Sequence, residues 1–172
     1  MEASQYSAAE ALRDGRPIQV RALRPEDREA MGRAAHGMSE ESIYRRLFSP
    51  RHYMSEQEIA YYMNVDFTNH VALVAVLSEN GNQVIVGGGR YVVTEPGTAE
   101  VAFAVPDAYQ GQRVGGLLMK HLAQIARHSG IKTLIAEVLA SNAAMLKVFE
   151  KSGLTVSTRH EHDVLHVTLG MK

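Results

Sequence analysis

A glycine-rich loop at residues 109–118 is the part of this sequence best suited to binding an anion. It joins an apolar, strand-like run to a long amphipathic helix. Backbone N–H groups at a helix N-terminus lack intrahelical partners and carry partial positive charge, and glycine lets a bulky anion come close to them. The loop therefore predicts a pyrophosphate cradle, although a purely structural tight turn would use similar letters. The cradle residues are Gln110, Gly111, Gln112, Arg113, Val114, Gly115 and Gly116.

Two other phosphate motifs do not fit the chain. A P-loop requires Lys and then Ser or Thr after its last glycine, but Gly116 is followed by Leu117. A dinucleotide-binding fingerprint requires spaced glycines between a strand and a helix, whereas residues 87–89 are three consecutive glycines inside a strand-like run. The sequence therefore predicts neither a P-loop nor a dinucleotide-binding fingerprint, and the loop at 109–118 needs another interpretation.

Composition limits the class of protein. The chain has 172 residues, a net charge of -1 and no cysteine, which argues against a general nucleic-acid binder and excludes disulfides and thiolate metal sites. No run of 18 apolar residues occurs, so no membrane span is predicted. We predict a flexible leader over residues 1–17, a single domain over residues 18–172, and a cytoplasmic location.

The apolar period alternates between that of a strand and that of a helix. Ser55 with Glu58 forms a capping box that starts a helix, and Asn80-Gly81 indicates a hairpin between two β-rich runs. Strands are predicted at 18–23, 71–77, 84–93, 99–105, 131–139 and on both sides of Asp163, and helices at 24–37, from 39 to about 48, and at 55–64, 114–129 and 142–152.

This order of elements resembles that of the GNAT acyltransferases over nearly the whole chain. The loop is similar to their Q/R-x-x-G-x-G/A coenzyme A motif, except that Arg113 replaces a glycine, and residues 142–154 are similar to their N-x-x-A-x-x-x-Y-x-K-x-G-F block, with Met145 and Phe149 as departures. Residues 42–50 and 99–103 are similar to the GNAT domain of bacterial protein-lysine acetyltransferases. The resemblance implies an α/β fold with a mixed central sheet of about seven strands and about four to five helices. It also implies acetyl-CoA as co-substrate, with no metal.

Acetyl transfer to an amine needs a base, because a lysine amine with a pKa near 10.4 is almost fully protonated at neutral pH. Glu100 is the one carboxylate in its predicted strand and matches the family's catalytic glutamate, and its apolar neighbours predict partial desolvation. A plain exposed glutamate is the alternative. The resemblance also implies that the backbone of Phe103, Ala104 or Val105 polarises the thioester carbonyl.

The departing thiolate is the second proton-transfer problem. Many family members protonate it with the tyrosine that Phe149 replaces, so Tyr109, Tyr91 or water would act instead, or the thiolate leaves unprotonated. Phe149 packs either against the pantetheine arm or in the core. Asn142 caps its helix, and the resemblance implies that it also contacts the cofactor.

Arg113 has two interpretations. A glycine at this point supplies positive φ or close approach, and arginine replaces it cheaply only where φ is negative. Its side chain either pairs with a phosphate or blocks the cradle. We favour retained binding, because the remaining cradle residues are present.

The histidines give only weak evidence for a metal site. His160, His162 and His166 lie near Glu161 and Asp163 and could hold a divalent metal, but a solvated hairpin is favoured. His121 and His128 are predicted at the surface of one helix. The tyrosine-rich arm at residues 44–62 is interpreted as packing in a homodimer or over the acceptor cleft.

Two functions remain open. The first is an acetyl-CoA-dependent N-acetyltransferase acting on a protein lysine or a small amine, with Glu100 as general base. The second is a catalytically weak coenzyme A-binding module that regulates a partner, an alternative kept open by Arg113 and Phe149. No nucleic acid or membrane partner is predicted.

Overall fold

A computed structural model describes residues 1–39 and 55–171, and these form one eight-stranded sheet with four α-helices. The strands are β1 (Ser7–Ala11), β2 (Pro17–Ala22), β3 (His70–Glu79), β4 (Asn82–Glu95), β5 (Thr98–Ala104), β6 (Thr133–Leu139), β7 (Thr155–Glu161) and β8 (Val164–Gly170). The helices are α1 (Arg28–His36), α2 (Glu56–Met63), α3 (Val114–His128) and α4 (Ala143–Glu150). The strand order is β1-β2-β3-β4-β5-β6-β8-β7. The mixed sheet is as predicted, with one strand more than expected, and the helix predicted from residue 39 lies largely outside the described residues.

The additional strand comes from the segment that the sequence analysis assigned to a flexible leader. Residues 7–11 pair antiparallel with β2, from Ser7 opposite Arg21 to Ala11 opposite Pro17, and Leu12 after them is 2% exposed. The strand itself consists of Ser, Ala and Glu, which carry a weak hydrophobic alternation. The formation of this strand therefore depends on pairing with β2 and on contacts with α3, neither of which is visible in the local sequence.

Local sequence signals set several element boundaries. Ser55 Oγ accepts from Glu58 N–H at 3.2 Å, and Glu58 Oε1 accepts from Ser55 N–H at 3.0 Å, so the predicted capping box is confirmed. Asn80 and Gly81 both have positive φ, 52° and 79°, as a tight two-residue hairpin requires. The helix predicted from residue 24 begins with a 3₁₀ turn at Pro25–Asp27 and becomes α1 at Arg28.

The sheet carries apolar cores on both faces. The larger core lies against α3 and α4, and the smaller one lies between β3, β4 and the helices α1 and α2. Gly87 and Gly89 explain how closely α3 approaches β4. An added Cβ at Gly87 would overlap Val114 Cγ1 at the start of α3, and one at Gly89 would lie 3.1 Å from Leu122 Cδ1 on the same helix. The glycine run inside β4 therefore serves close packing, not phosphate binding.

Strands β5 and β6 separate partway along their length. They pair in parallel from Thr98 and Thr133 to Glu100 and Ile135, and the pairing ends there although β5 continues to Ala104 and β6 to Leu139. The separation leaves one edge of residues 101–104 without a neighbouring strand. This gap in the sheet opens the cleft described below.

Within the part of the chain that the structure describes, no helix is both long enough and apolar enough to cross a membrane.

Candidate active site

A cleft of about 1060 Å³ lies where β5 and β6 separate and continues along α3 and α4. It brings together thirteen of the residues singled out from the sequence, which are Glu100, Phe103, Ala104, Val105, Tyr109, Gln110, Gly111, Arg113, Val114, Gly115, Gly116, Asn142 and Phe149. Residues from five separate elements and loops thus surround one space. Of the residues predicted to bind or react, Gln112 and the alternative acid Tyr91 do not line it.

The start of α3 borders this cleft with backbone N–H groups. Leu117 N–H donates to Arg113 O at 3.0 Å, so the N–H groups of Val114, Gly115 and Gly116 precede the first intrahelical hydrogen bond. A Cβ added at Gly111 or Gly116 would meet nothing within 4 Å, which means that open space adjoins the loop. The backbone and the space both suit a bulky phosphate group.

Arg113 adopts the conformation that the sequence analysis considered costly for arginine. It precedes α3 with φ 74° and ψ 9°, in the left-handed region that favours glycine. The condition of negative φ, under which arginine would replace glycine cheaply, is therefore not met. Its side chain is exposed at the cleft and makes no hydrogen bond or ion pair within the described residues.

Gln112 and Gln110 hold the loop from two sides. Gln112 O accepts from Arg13 N–H, and Gln112 Oε1 accepts from Asp14 N–H, both at 3.2 Å. Gln110 Nε2 donates to Val105 O at 3.1 Å. The Gln112 side chain therefore faces the turn between β1 and β2 and not the cleft, because residues far away in sequence supply its partners.

Glu100 stands at the point where the pairing of β5 with β6 ends. Its neighbours Ala99 and Val101 are 0% and 3% exposed, whereas Glu100 points to the opposite face of the sheet and is exposed. The partial desolvation predicted for this carboxylate is therefore absent in the structure. Apolar neighbours along a strand do not bury a side chain between them, because successive side chains point to opposite faces.

Glu137 is a second carboxylate in the cleft that the sequence analysis did not identify. Glu100 pairs with Ile135, and Glu137 follows two residues later on the same face of β6. His166 on β8 lies beside it, with Nδ1 3.7 Å from Glu137 Oε1 and Nε2 3.0 Å from Glu161 Oε2. A lone carboxylate in a mostly apolar strand was the available signal, the same signal that identified Glu100.

The acidic and basic residues that line the cleft lie on different elements. Glu100 and Glu137 lie on the diverging strands, whereas the cations lie on the loops and helices and are Arg13, Arg113, Lys120, Arg127, Lys147 and Lys151. Glu10 is the remaining acid, and its carboxylate is 2.9 Å from Lys120 Nζ. The loops and helices therefore offer cations to an anion, and the diverging strands offer two carboxylates to a cation.

The aromatic residues differ in their access to the cleft. Phe149 is 1% exposed and packs edge-on against Phe103 with ring centroids 6.4 Å apart, so it belongs to the core and also lines the cleft. Tyr109 is half-buried at the cleft, with Arg16 Cζ 6.0 Å from its ring centroid. Tyr91 is 1% exposed and does not line the cleft, and burial raises its pKa. It is therefore poorly placed to donate a proton to a ligand.

Asn142 caps α4 as predicted. Its Oδ1 accepts from Met145 N–H at 3.2 Å, and the residue lines the cleft where α4 begins. Capping and contact with a ligand are therefore compatible at this position.

His121 is not a surface residue, contrary to the sequence analysis. It is 5% exposed because β1 covers this part of α3. Tyr6 Oη lies 2.5 Å from its Nδ1, and Glu10 Oε2 lies 2.6 Å from its Nε2. The hydrogen bond from Lys120 holds the pKa of Glu10 below its usual value. His128 is exposed, as predicted.

The C-terminal histidines occupy a hairpin. His160 and His162 are exposed, His162 lies in the turn with φ 57°, and His166 bridges two glutamates. Across residues 1–39 and 55–171, no three His, Asp or Glu side chains form a group that could hold a metal ion.

Comparisons with known proteins agree with this arrangement. Residues 41–154 match the family model described as the Acetyltransferase (GNAT) family. An acetyltransferase of Pseudomonas aeruginosa is 33% identical over 137 residues, 79% of this chain and 74% of that protein. The acetyltransferase Pat of Mycolicibacterium smegmatis is 32% identical over 144 residues, 83% of this chain but 42% of Pat. The crystal structure of the GNAT domain of S. lividans PAT has a TM-score of 0.85 at 33% identity, covering 96% of this chain and 97% of that domain.

Proposed function

The chain belongs to the GNAT family of acetyltransferases, and we propose that it transfers an acetyl group from acetyl-CoA to a cationic primary amine, with Glu100 as the general base. The family as a whole uses acetyl-CoA. The observation that carries the proposal is that one cleft combines backbone N–H groups and cations at the start of α3 with Glu100 and Glu137 on the diverging strands β5 and β6. Such a cleft can hold a phosphorylated thioester at the helix start and a protonated amine at the two carboxylates.

The cradle fixes the direction of the cofactor. Its phosphates bind the N–H groups at the start of α3 and the cations nearby, so the pantetheine arm extends toward β5. Phe103, Ala104 and Val105 line the cleft there, on a strand edge that β6 no longer pairs. A backbone N–H on this edge donates to the thioester carbonyl and stabilises the oxyanion as it develops.

The reaction is a direct attack. The acceptor ammonium group loses one proton to Glu100, and the neutral amine forms a C–N bond with the acetyl carbon. As the C–S bond breaks and the thiolate leaves, the nitrogen loses its second proton to solvent and the amide is formed. Tyr109 lines the cleft with an ionisable hydroxyl, whereas Phe149 lacks one, so Tyr109 is the side chain assigned to protonate the thiolate. A thiolate whose thiol pKa is near 8.5 also leaves at modest cost without this proton.

The two carboxylates on the diverging strands favour a lysine side chain or another cationic amine as acceptor. Glu100 and Glu137 are both exposed and share one face of the sheet, so an incoming ammonium group meets two carboxylates before it is deprotonated. Because the solvent reaches them, each attraction is modest, and specificity depends on both together. Glu137 is assigned to binding, and Glu100 to proton transfer.

Two measurements test these roles. Isothermal titration with acetyl-CoA measures cofactor binding, and release of the coenzyme A thiol measures turnover across lysine peptides, polyamines and neutral amines. Glu100→Gln should lower kcat by about 10²- to 10⁴-fold, the range typical of general-base loss, with binding of acetyl-CoA intact. Glu137→Gln should raise KM for cationic acceptors with little change in kcat.

Glu150→Gln serves as the matched control, because Glu150 is exposed on α4 and does not line the cleft. Acetyl-CoA binding without release of thiol for any acceptor would contradict the enzyme and favour the coenzyme A-binding module. Full kcat in Glu100→Gln would remove Glu100 from the mechanism.

A further inference from the structure

The turn between β1 and β2 lies directly against the cradle loop. Arg13 N–H and Asp14 N–H both donate to Gln112, to its carbonyl and its side-chain oxygen respectively. The turn also closes on itself, because Leu12 N–H donates to Arg16 O at 2.9 Å. The cradle therefore rests on a second hairpin that the glycine motif does not contain.

Contacts with α3 hold this hairpin in place. Tyr6, just before β1, and Glu10, near its C-terminal end, both bond the buried ring of His121, and Tyr6 Oη also donates to Gln124 at 3.0 Å. Lys120 adds an ion pair with Glu10. Because β1 is fixed to the same helix whose start forms the cradle, the turn keeps a constant position relative to the phosphate site.

Arg13 is the cation that the turn presents to the cleft. It lines the cleft and is exposed. The neighbouring carboxylate of Asp14 is occupied by Arg16, whose Nη2 lies 2.9 Å away. Arg13 itself has no ion pair in the described part of the chain. Its guanidinium therefore keeps its donors available for an anion in the cleft.

We propose that Arg13 binds a phosphate of the cofactor and that the β1–β2 hairpin is part of the coenzyme A site, an inference that rests on the function proposed above. A planar guanidinium binds a phosphate through two parallel hydrogen bonds, and the anchored hairpin holds it in position before the ligand arrives. Gln112 is then a positioning residue, since its contacts with the turn connect the cradle to Arg13.

Titration calorimetry of the full chain tests the assignment with acetyl-CoA, 3′-dephospho-acetyl-CoA and acetyl-pantetheine, which has no nucleotide phosphates. Arg13→Gln should weaken acetyl-CoA binding by about tenfold or more, the loss typical of a charge-assisted hydrogen bond. The affinity of Arg13→Lys for acetyl-CoA should lie between those of the unaltered protein and of Arg13→Gln, because lysine keeps the charge without the bidentate geometry. Turnover of acetyl-pantetheine by Arg13→Gln should equal that of the unaltered protein.

The same experiment distinguishes the 3′-phosphate from the pyrophosphate as the group that Arg13 binds. If Arg13 binds the 3′-phosphate, Arg13→Gln has no effect on the 3′-dephospho ligand, and if it binds the pyrophosphate, the loss persists. Arg33→Gln is the matched control, because Arg33 is an exposed arginine on α1 that does not line the cleft.

The assignment is overturned if Arg13→Gln binds acetyl-CoA as tightly as Arg33→Gln does, or if it weakens acetyl-pantetheine to the same degree as acetyl-CoA. The second outcome would mean that the hairpin only shapes the cleft. Failure of the unaltered protein to bind acetyl-CoA would instead contradict the proposed function, so the two failures are distinguishable.

Discussion

Replacing Arg113 by glycine and, in a second variant, by alanine separates the backbone of the cradle from its side chain. Both variants lose the guanidinium, but only glycine relieves the positive φ of 74°. The side chain of Arg113 is exposed and makes no ion pair in the described residues, so its removal alone should change stability little. The difference between the two variants therefore measures the backbone conformation.

The size of that difference follows from two opposing effects. A left-handed conformation costs a residue with a Cβ about 1–2 kcal/mol, which glycine avoids. Glycine loses more chain entropy on folding, about 0.5–1 kcal/mol relative to alanine. We therefore expect the glycine variant to exceed the alanine variant by about 0.5–1 kcal/mol in free energy of unfolding, which corresponds to about 1–4 °C in Tm for a chain of this length.

Urea denaturation is the assay, with the unfolding midpoint compared at unchanged m-value. An alanine variant as stable as the glycine variant would refute the account of Arg113 as a strained cradle residue. Titration of the same proteins with acetyl-CoA tests whether the Arg113 side chain contributes to binding. Weaker binding in both variants than in the unaltered protein assigns the guanidinium to a phosphate, and equal binding in all three shows that the backbone of the loop suffices.

Two further substitutions test packing and charge, and one of them is followed over pH. Gly87→Ala should destabilise the protein by about 1–3 kcal/mol, because its Cβ would overlap Val114 at the start of α3, whereas Gly88→Ala has its nearest neighbour at 3.7 Å and should cost less; equal midpoints in urea would contradict the close approach. Asp27→Asn should cost about 3–5 kcal/mol at neutral pH, because it leaves the buried Arg21 without the carboxylate that it contacts through two hydrogen bonds of 2.8 Å. Burial would raise the pKa of Asp27, but the hydrogen bonds from Arg21 and from the backbone outweigh it and lower that pKa. This stabilisation is therefore complete above the unfolded pKa near 3.9 and disappears as pH falls through the lower folded pKa, so the two proteins should converge in stability in acid; a gap that stays constant down to pH 2 would refute the pairing.

Features that depend on neighbours in the chain were predicted well from the sequence. The Ser55 capping box, the Asn80-Gly81 hairpin and the Asn142 cap each involve hydrogen bonds or dihedral angles within a few residues. The cradle could also be placed, because the end of a strand, a glycine loop and a helix start follow one another directly. Such patterns need no knowledge of tertiary contacts.

Predictions about environment were less successful. Glu100 was expected to be partly desolvated and is exposed, and His121 was expected at the surface and is buried. Burial is decided by what packs on a side chain from elsewhere in the chain. For His121 that partner is β1, a strand whose own residues gave little hydrophobic signal.

By itself, the sequence carried the motifs that resemble the family. Its periodicity, turn chemistry and spacing also indicated the elements from β2 onward and placed the glycine loop before a helix and Glu100 in a strand. The tertiary structure decided how the charges meet. The pairing of β5 with β6 put Glu137 on the same face of the sheet as Glu100, and the pairing of β1 with β2 brought Arg13 to the cradle more than 90 residues away in sequence. It also set the positive φ of Arg113, since the loop must turn into a helix whose position is fixed by its packing on β4. These outcomes arise from contacts between distant segments, and no local pattern encodes them.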